Sequence, residues 1–119
     1  MAAGGDGAEG APRAILDTNV FVAAGFNPRS ASARLLAAAR AGRLAVVWNG
    51  ATRAETEAVL RRIPRLSDEG LGEIFRPDGR AAGLADPATA DFVTDPEDRK
   101  FAALAIATGA TLVTNDAHL

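Results

Sequence analysis

The sequence contains no cysteine, and this excludes disulfide bonds, thiolate metal sites and cysteine nucleophiles together. It has no apolar run long and uncharged enough to cross a bilayer, so we expect no membrane span. The N-terminus has neither the basic start nor the apolar segment of a secretory signal. We therefore expect a cytoplasmic protein without a leader peptide.

Net charge is also small. Thirteen Lys and Arg residues stand against fifteen Asp and Glu residues, which gives a formal charge of −2. This near balance provides no overall attraction to nucleic acid, although local basic patches can still bind it. Lys100 is the only lysine and His118 the only histidine. We expect His118 to be a solvated side chain rather than a metal ligand.

The 119 residues, 48% of them hydrophobic, are enough for one domain with one core. Residues 1–13 are mainly Gly, Ala and charged residues without periodicity, so we expect a disordered tail followed by a domain over 14–119. The chain ends three residues after Asp116. This leaves little room for another strand, and we expect a short or missing C-terminal edge.

Apolar runs alternate with helical patterns along the domain. Strands are predicted at 14–17, 44–48 and 111–114, with a further short strand at 91–94, and helices after 18, at 30–41, at 52–62 and at 96–108. Within the 52–62 helix we expect Ala54, Ala58 and Val59 to face inward. Residues 67–90 carry only a weak helix signal after Ser67. The alternation predicts an α/β fold with a central, mostly parallel sheet flanked by helices.

Asp17 directly follows the first apolar run, Ala14-Ile15-Leu16. In a parallel sheet this places its carboxylate at the carboxyl edge, where ligands bind in such folds. Thr18 and Asn19 are suitable N-caps for the next helix. The simpler alternative is that Asp17 itself only caps that helix.

Three more acids recur at the equivalent position of other strand–helix units. Glu55 lies early in the helix after the second strand, Asp98 lies in the first turn of the Pro96 helix, and Asp116 follows the last strand. The carboxyl ends of parallel strands share one edge, so these acids and Asp17 can converge. The alternative for Glu55 and Asp98 is stabilisation of a helix N-terminus, and for Asp116 a turn.

Converging carboxylates repel one another unless a cation neutralises them. Oxygen donors without cysteine favour a hard cation, so the set Asp17, Glu55, Asp98 and Asp116 predicts a Mg²⁺ or Mn²⁺ site. Metal ions in such a site activate water and stabilise the leaving oxygen of a phosphodiester. The predicted chemistry is metal-assisted phosphodiester hydrolysis, with Thr114 and Asn115 supplying supporting hydrogen bonds.

The chain resembles the PIN domain family, which includes the VapC-like toxins of bacterial toxin–antitoxin pairs. The resemblance rests on Leu16-Asp17-Thr18-Asn19-Val20-Phe21, on the segment 95–105 and on Leu112-Val113-Thr114-Asn115-Asp116. It implies a Mg²⁺- or Mn²⁺-dependent ribonuclease with a PIN-like three-layer fold, often a homodimer and often inhibited by an antitoxin protein. The family's four acids match Asp17, Glu55, Asp98 and Asp116, and its polar positions after the first acid match Thr18 and Asn19.

Three other functions compete with this prediction. A phosphatase of the haloacid dehalogenase type needs a second aspartate two residues after the first, and this sequence has Asn19 there. A receiver-like signalling domain is also disfavoured, because the strand order and the position of Lys100 inside a helix do not match that fold. A non-catalytic PIN-like module that binds RNA or protein remains the main alternative, although such a module has no need for four repelling carboxylates.

Overall fold

The protein is described by a computed structural model that covers residues 10–82, 86–93 and 95–114. Three parallel strands form its central sheet: β1 (Arg13–Leu16), β2 (Ala45–Val46) and β3 (Thr111–Val113). β1 lies in the middle, and the strand order is β2-β1-β3. Ala14 pairs with Val46 on one side and with Thr111 on the other. The predicted parallel sheet is confirmed.

Four α-helices of the described residues flank the sheet. They are α1 (Thr18–Phe26), α2 (Ala31–Arg40), α3 (Gly50–Arg62) and α4 (Pro96–Thr108). Local sequence signals set their starts: the Ser30 side chain accepts from the Ala33 N–H, and Asn49 and Thr52 form a reciprocal capping box before α3. No helix in the described part of the chain is both long enough and apolar enough to span a membrane.

The sheet separates two apolar clusters, and this gives the fold three layers. Ala14 and Leu16 point to one face, where they belong to a cluster with side chains of α1, α2 and α3. Ile15 points to the other face and packs with Phe101 and Leu104 of α4. This alternation follows from the two-residue period of a strand. The α/β three-layer architecture predicted from the sequence is therefore present.

The buried face of α3 differs from the prediction. Thr52, Thr56 and Leu60 are buried, whereas Ala54 and Ala58 are exposed. The cap at Asn49 fixes where the helix begins, and two threonines on the inner face find hydrogen-bond partners there. Burial of a polar side chain is acceptable when its hydroxyl is paired, so the hydrophobic pattern alone selected the wrong face.

The segment between α3 and α4 is built from short 3₁₀ helices. These are Leu71–Glu73, Pro77–Gly79 and Pro87–Ala90. The α-helix signal after Ser67 and the short strand at 91–94 are wrong over the described residues: Asp91 and Phe92 form a turn, and Phe92 is 76% exposed. The Asp86 side chain accepts from the Ala88 N–H and starts the 3₁₀ turn that leads into this exposed stretch.

The outer edge of β2 is covered by the segment around Arg80. Trp48 and Arg80 form an isolated parallel bridge, in which Trp48 N–H donates to Gly79 O over 3.1 Å and Ala81 N–H donates to Trp48 O over 2.8 Å. The Trp48 ring is buried in the core beside Phe75. These bonds give Arg80 a fixed position beside the carboxyl end of β2.

Candidate active site at the carboxyl edge of the sheet

The strand order creates a switch point beside β1. From the central β1 the chain forms β2 on one side, and later crosses to form β3 on the other. In open α/β sheets such a reversal opens a crevice at the carboxyl ends of the two strands, and ligands bind there. Asp17 follows β1 at this point, and its N–H donates to Val113 O of β3 over 3.1 Å.

Asp17 is the N-cap of α1. Its Oδ1 accepts from the Asn19 N–H over 2.9 Å and from the Val20 N–H over 3.3 Å. The predicted caps, Thr18 and Asn19, are one and two residues too late, because both already lie inside the helix. Asp17 thus caps the helix, as the simpler alternative requires. A carboxylate has about four acceptor positions, so capping through Oδ1 is compatible with a further ligand.

A pair of buried threonine hydroxyls connects the start of α1 to α3. Thr18 Oγ1 and Thr56 Oγ1 lie 3.1 Å apart, and Thr56 is fully buried. Each threonine directly follows a predicted metal ligand, Asp17 in one case and Glu55 in the other. The hydrogen bond therefore joins the start of α1, which follows Asp17, to the helix that carries Glu55.

We expect the Thr56→Val variant to be less stable than the wild type by about 1–3 kcal/mol, because it leaves the buried Thr18 hydroxyl without its partner. The double variant Thr18→Val/Thr56→Val removes both hydroxyls and is expected to lose less than the sum of the two single variants. Urea unfolding of the four proteins measures this coupling. Strict additivity would show that the pair does not link α1 to α3 energetically.

Glu55 contacts the only lysine of the chain. Lys100 Nζ donates to Glu55 Oε1 over 3.2 Å, and the two side chains are 25% and 18% exposed. The two residues belong to α3 and α4, which pack on opposite faces of the sheet. Hydrophobic patterning gives no signal for a contact between separate helices, so the sequence did not identify this partner.

Asp98 lies in the first turn of α4, where its N–H donates to Asp95 O over 3.0 Å. The residue is exposed, while Phe101, one turn later, is buried. The apolar stripe that begins at Phe101 predicts that Asp98, three residues earlier, faces the sheet, and the exposure of Asp98 shows that this prediction is wrong. An exposed carboxylate at this helix start also stabilises the helix dipole, which is the alternative considered for this residue.

The remaining predicted residues lie at the end of the chain. Asn115 and Asp116 are outside the described residues, and Thr114, the last described one, is half-buried. Within residues 10–82, 86–93 and 95–114, no three Asp, Glu or His side chains are close enough together to hold a metal ion. The four-acid metal site thus stays a prediction. The carboxylate donors at Asp17 and Glu55 do match the oxygen preference of Mg²⁺, which uses one or two protein carboxylates and keeps several waters.

Arginines of the site region are held by aromatic rings and backbone oxygens. The Arg53 guanidinium lies 5.4 Å from the Trp48 ring and pairs with Glu57 over 3.2 Å. Arg80 lies over the same ring at 5.5 Å. Arg99 Nε donates to Val93 O over 2.8 Å. The amino-acid composition does not indicate that Arg53 and Arg80 lie over the same Trp48 ring, because the position of Arg80 depends on its bridge with Trp48.

Comparison with protein families gives one match. A family model described as PIN domain matches residues 13–118, which is most of the chain. No curated protein and no solved structure gives a significant match. The matched range includes all three strands and all four α-helices.

Proposed function

Because the chain belongs to the PIN domain family, a family of nucleases, we propose that it is a ribonuclease that depends on Mg²⁺ or Mn²⁺. The observation that carries the proposal is the position of Asp17, buried at the carboxyl end of β1 beside the switch point. Asp is rarely buried unless it is paired, and a metal cation is a partner that would compensate a carboxylate buried at this place.

The proposed site has four acidic members. Asp17, Glu55, Asp98 and Asp116 would hold the metal ion, which when bound activates water and stabilises the leaving oxygen. The protein's own contribution is to fix the acids: Asp17 through the start of α1, and Glu55 through the adjacent Thr56 and through Lys100. Fixed ligands keep their geometry when substrate binds, which is how a preorganised site lowers a barrier.

Arg80 supports RNA as the substrate. Arg80 forms a parallel bridge with Trp48, which is one residue before the carboxyl edge of the sheet. This bridge places the Arg80 backbone about two strand spacings, roughly 9–10 Å, from β1. Arg80 is exposed, and the ion pairs of the described residues use Arg40, Arg53, Arg61 and Lys100 but not Arg80. Stacking on Trp48 orders its guanidinium without neutralising it. An ordered, unneutralised arginine beside the site is suited to bind a flanking phosphate.

We expect the Arg80→Gln variant to bind single-stranded RNA more weakly and with a salt dependence reduced by about 0.7 in the slope of log K against log salt, the value for one lost phosphate contact. Arg43→Gln is the matched control, because Arg43 is exposed and precedes β2 at the opposite edge of the sheet. The catalytic variant Asp17→Asn, bound to fluorescent RNA, allows affinity to be measured without cleavage. Equal salt slopes for the two arginine variants would remove Arg80 from the RNA interface.

The non-catalytic alternative has one observation in its favour. Lys100 already pairs with Glu55, so Glu55 does not by itself require a metal ion. In this alternative the same edge binds RNA or a protein through Arg80 and its neighbours. Cleavage separates the two functions, since a binding module retains RNA without hydrolysing it.

The physiological setting is part of the same proposal. We propose that the protein acts in the cytoplasm as the toxin of a toxin–antitoxin pair, as a homodimer held inactive by its cognate antitoxin protein. The support is the family resemblance of the Asp17 and Asp98 segments. Co-expression with a candidate antitoxin protein, followed by an RNA cleavage assay, tests inhibition directly.

Replacing the ribose at the cleaved position by deoxyribose tests which nucleophile attacks the phosphorus. If water attacks phosphorus, an RNA with a single 2′-deoxy nucleotide at the scissile position is still cut. If the neighbouring 2′-hydroxyl attacks, that substrate resists cleavage and the normal substrate yields a cyclic phosphate. We expect cleavage of both substrates and no cyclic product, and resistance of the deoxy substrate would contradict metal-assisted hydrolysis.

A further inference from the structure

We propose that Lys100 is a built-in cation of the catalytic site, so that the site takes a single divalent metal ion and the lysine ammonium stands where a second ion would otherwise be needed. This inference rests on the proposed nuclease function and assigns a role to a residue outside its acidic set. Lys100 is then a positioning residue for Glu55, because its ammonium contacts the Glu55 carboxylate.

The path of the two helices places the ion pair at the carboxyl edge. α3 begins just after β2, so its first turns, with Glu55, lie at the carboxyl end of that strand. α4 leads into β3 through Gly109, so its first turns, with Lys100, also lie at the carboxyl ends of the strands. These helices cover opposite faces of the sheet, and the contact between Glu55 and Lys100 joins them at the ends that lie on this edge.

The neighbours of the pair point to the same place. Phe101, next to Lys100, packs against Ile15 of β1, and Thr56, next to Glu55, bonds Thr18 at the start of α1. Asp17 lies between Leu16 of β1 and Thr18. Both members of the ion pair are thus next in sequence to residues that contact β1 or the start of α1.

The contact leaves little room for a second ion on Glu55. Two-metal sites hold their ions about 3.5–4 Å apart and share carboxylates between them. Here Oε1 of Glu55 already has a full positive charge 3.2 Å away, and a divalent ion on the same oxygen would face that charge at close range. Since both side chains are mostly buried, water screens this repulsion only partly. One ion on Glu55 would use the other oxygen, Oε2, and a second ion on Oε1 would have to displace Lys100.

A purely structural role for the pair is the alternative. An ion pair that only joins α3 to α4 would change stability when removed but would not change how many metal ions bind. The variant Lys100→Met removes the charge and keeps most of the side-chain volume, and Lys100→Arg keeps the charge. The two variants therefore separate charge from packing.

The first measurement counts Mn²⁺ on the full chain by calorimetry and by electron paramagnetic resonance. We expect one Mn²⁺ per chain with an uncoupled spectrum in the wild type and in Lys100→Arg. In Lys100→Met we expect two ions, giving a spin-coupled pair. Two ions in the wild type, or one in Lys100→Met, would overturn the role of Lys100 and leave the nuclease proposal standing. Absence of Mn²⁺ binding in the wild type would instead overturn the proposed function and this inference with it.

A second measurement uses the single lysine as its own probe. In protein labelled with ¹⁵N-lysine, the one side-chain ammonium resonance belongs to Lys100. We expect Mn²⁺ to broaden this signal beyond detection while Mg²⁺ leaves it visible, because only Mn²⁺ is paramagnetic. A sharp Lys100 signal in protein saturated with Mn²⁺ would place the lysine away from the metal and overturn the inference.

Discussion

Replacing Asp17 by Asn is expected to reduce RNA cleavage by at least about 100-fold while leaving the protein folded. Loss of the Asp17 carboxylate weakens metal binding. Even residues that only support a metal ligand contribute about 10–100-fold to metal affinity or activity, and a ligand itself should contribute at least as much. Asn is as good an N-cap as Asp, so the bonds from Asn19 and Val20 to this side chain can be kept. The melting temperature should be unchanged or higher, since one repelling charge is removed.

Two controls make the Asp17 result interpretable. Asp17→Ala loses the cap as well as the charge, and we expect it to be less stable than Asp17→Asn by about 1 kcal/mol. Asp78→Asn makes the same chemical change at an exposed residue of the Pro77–Gly79 turn and should retain full activity. Equal activity of Asp17→Asn and Asp78→Asn would remove Asp17 from the site.

The largest effect on stability is expected for Gly79→Ala, with a loss of about 3 kcal/mol. A Cβ at Gly79 would collide with the carbonyl oxygen of Val46 in β2. Because that oxygen is backbone, it cannot move aside as a flexible side chain would. The segment must shift instead, and its hydrogen bonds with Trp48 weaken. For a domain of about 100 residues, such a loss lowers the melting temperature by roughly 12 °C or more.

Gly72→Ala is the matched control for Gly79→Ala. Gly72 lies in the neighbouring 3₁₀ helix, and a Cβ there would meet nothing within 4 Å. Both variants remove one glycine and its backbone freedom, so their difference isolates the close approach to β2. We expect Gly72→Ala to melt within a few degrees of the wild type. If the two variants melt together, the edge segment around Arg80 is not packed on β2 as described.

The sequence predicted the elements whose signals are local. The run Ala14-Ile15-Leu16 alternates between two apolar clusters and forms the central strand. Pro96 begins α4, and Gly109, at φ +74°, follows its end. These signals act within a few residues, so they can be recognised without the rest of the fold. The position of Asp17 at the carboxyl edge follows from them.

Features that depend on distant partners could not be predicted in this way. The inner face of α3 is set by Thr56, whose partner Thr18 lies 38 positions away, and a hydrophobic pattern does not register a buried polar pair. The contact of Glu55 with Lys100 spans 45 positions and depends on how two helices approach each other. In the 67–93 region, short side-chain caps override weak helix and strand propensities, since 3₁₀ turns need only local bonds.

The most direct test of the proposed function is a titration of single-stranded RNA cleavage with Mg²⁺ and with Mn²⁺, accompanied by melting curves at each concentration. We expect no cleavage in EDTA, recovery of cleavage by either ion, and a melting temperature that rises as the ion binds the folded state. If the RNA stays intact at every concentration and neither ion changes the melting temperature, the carboxyl edge holds no metal, and the protein is a binding module rather than a nuclease.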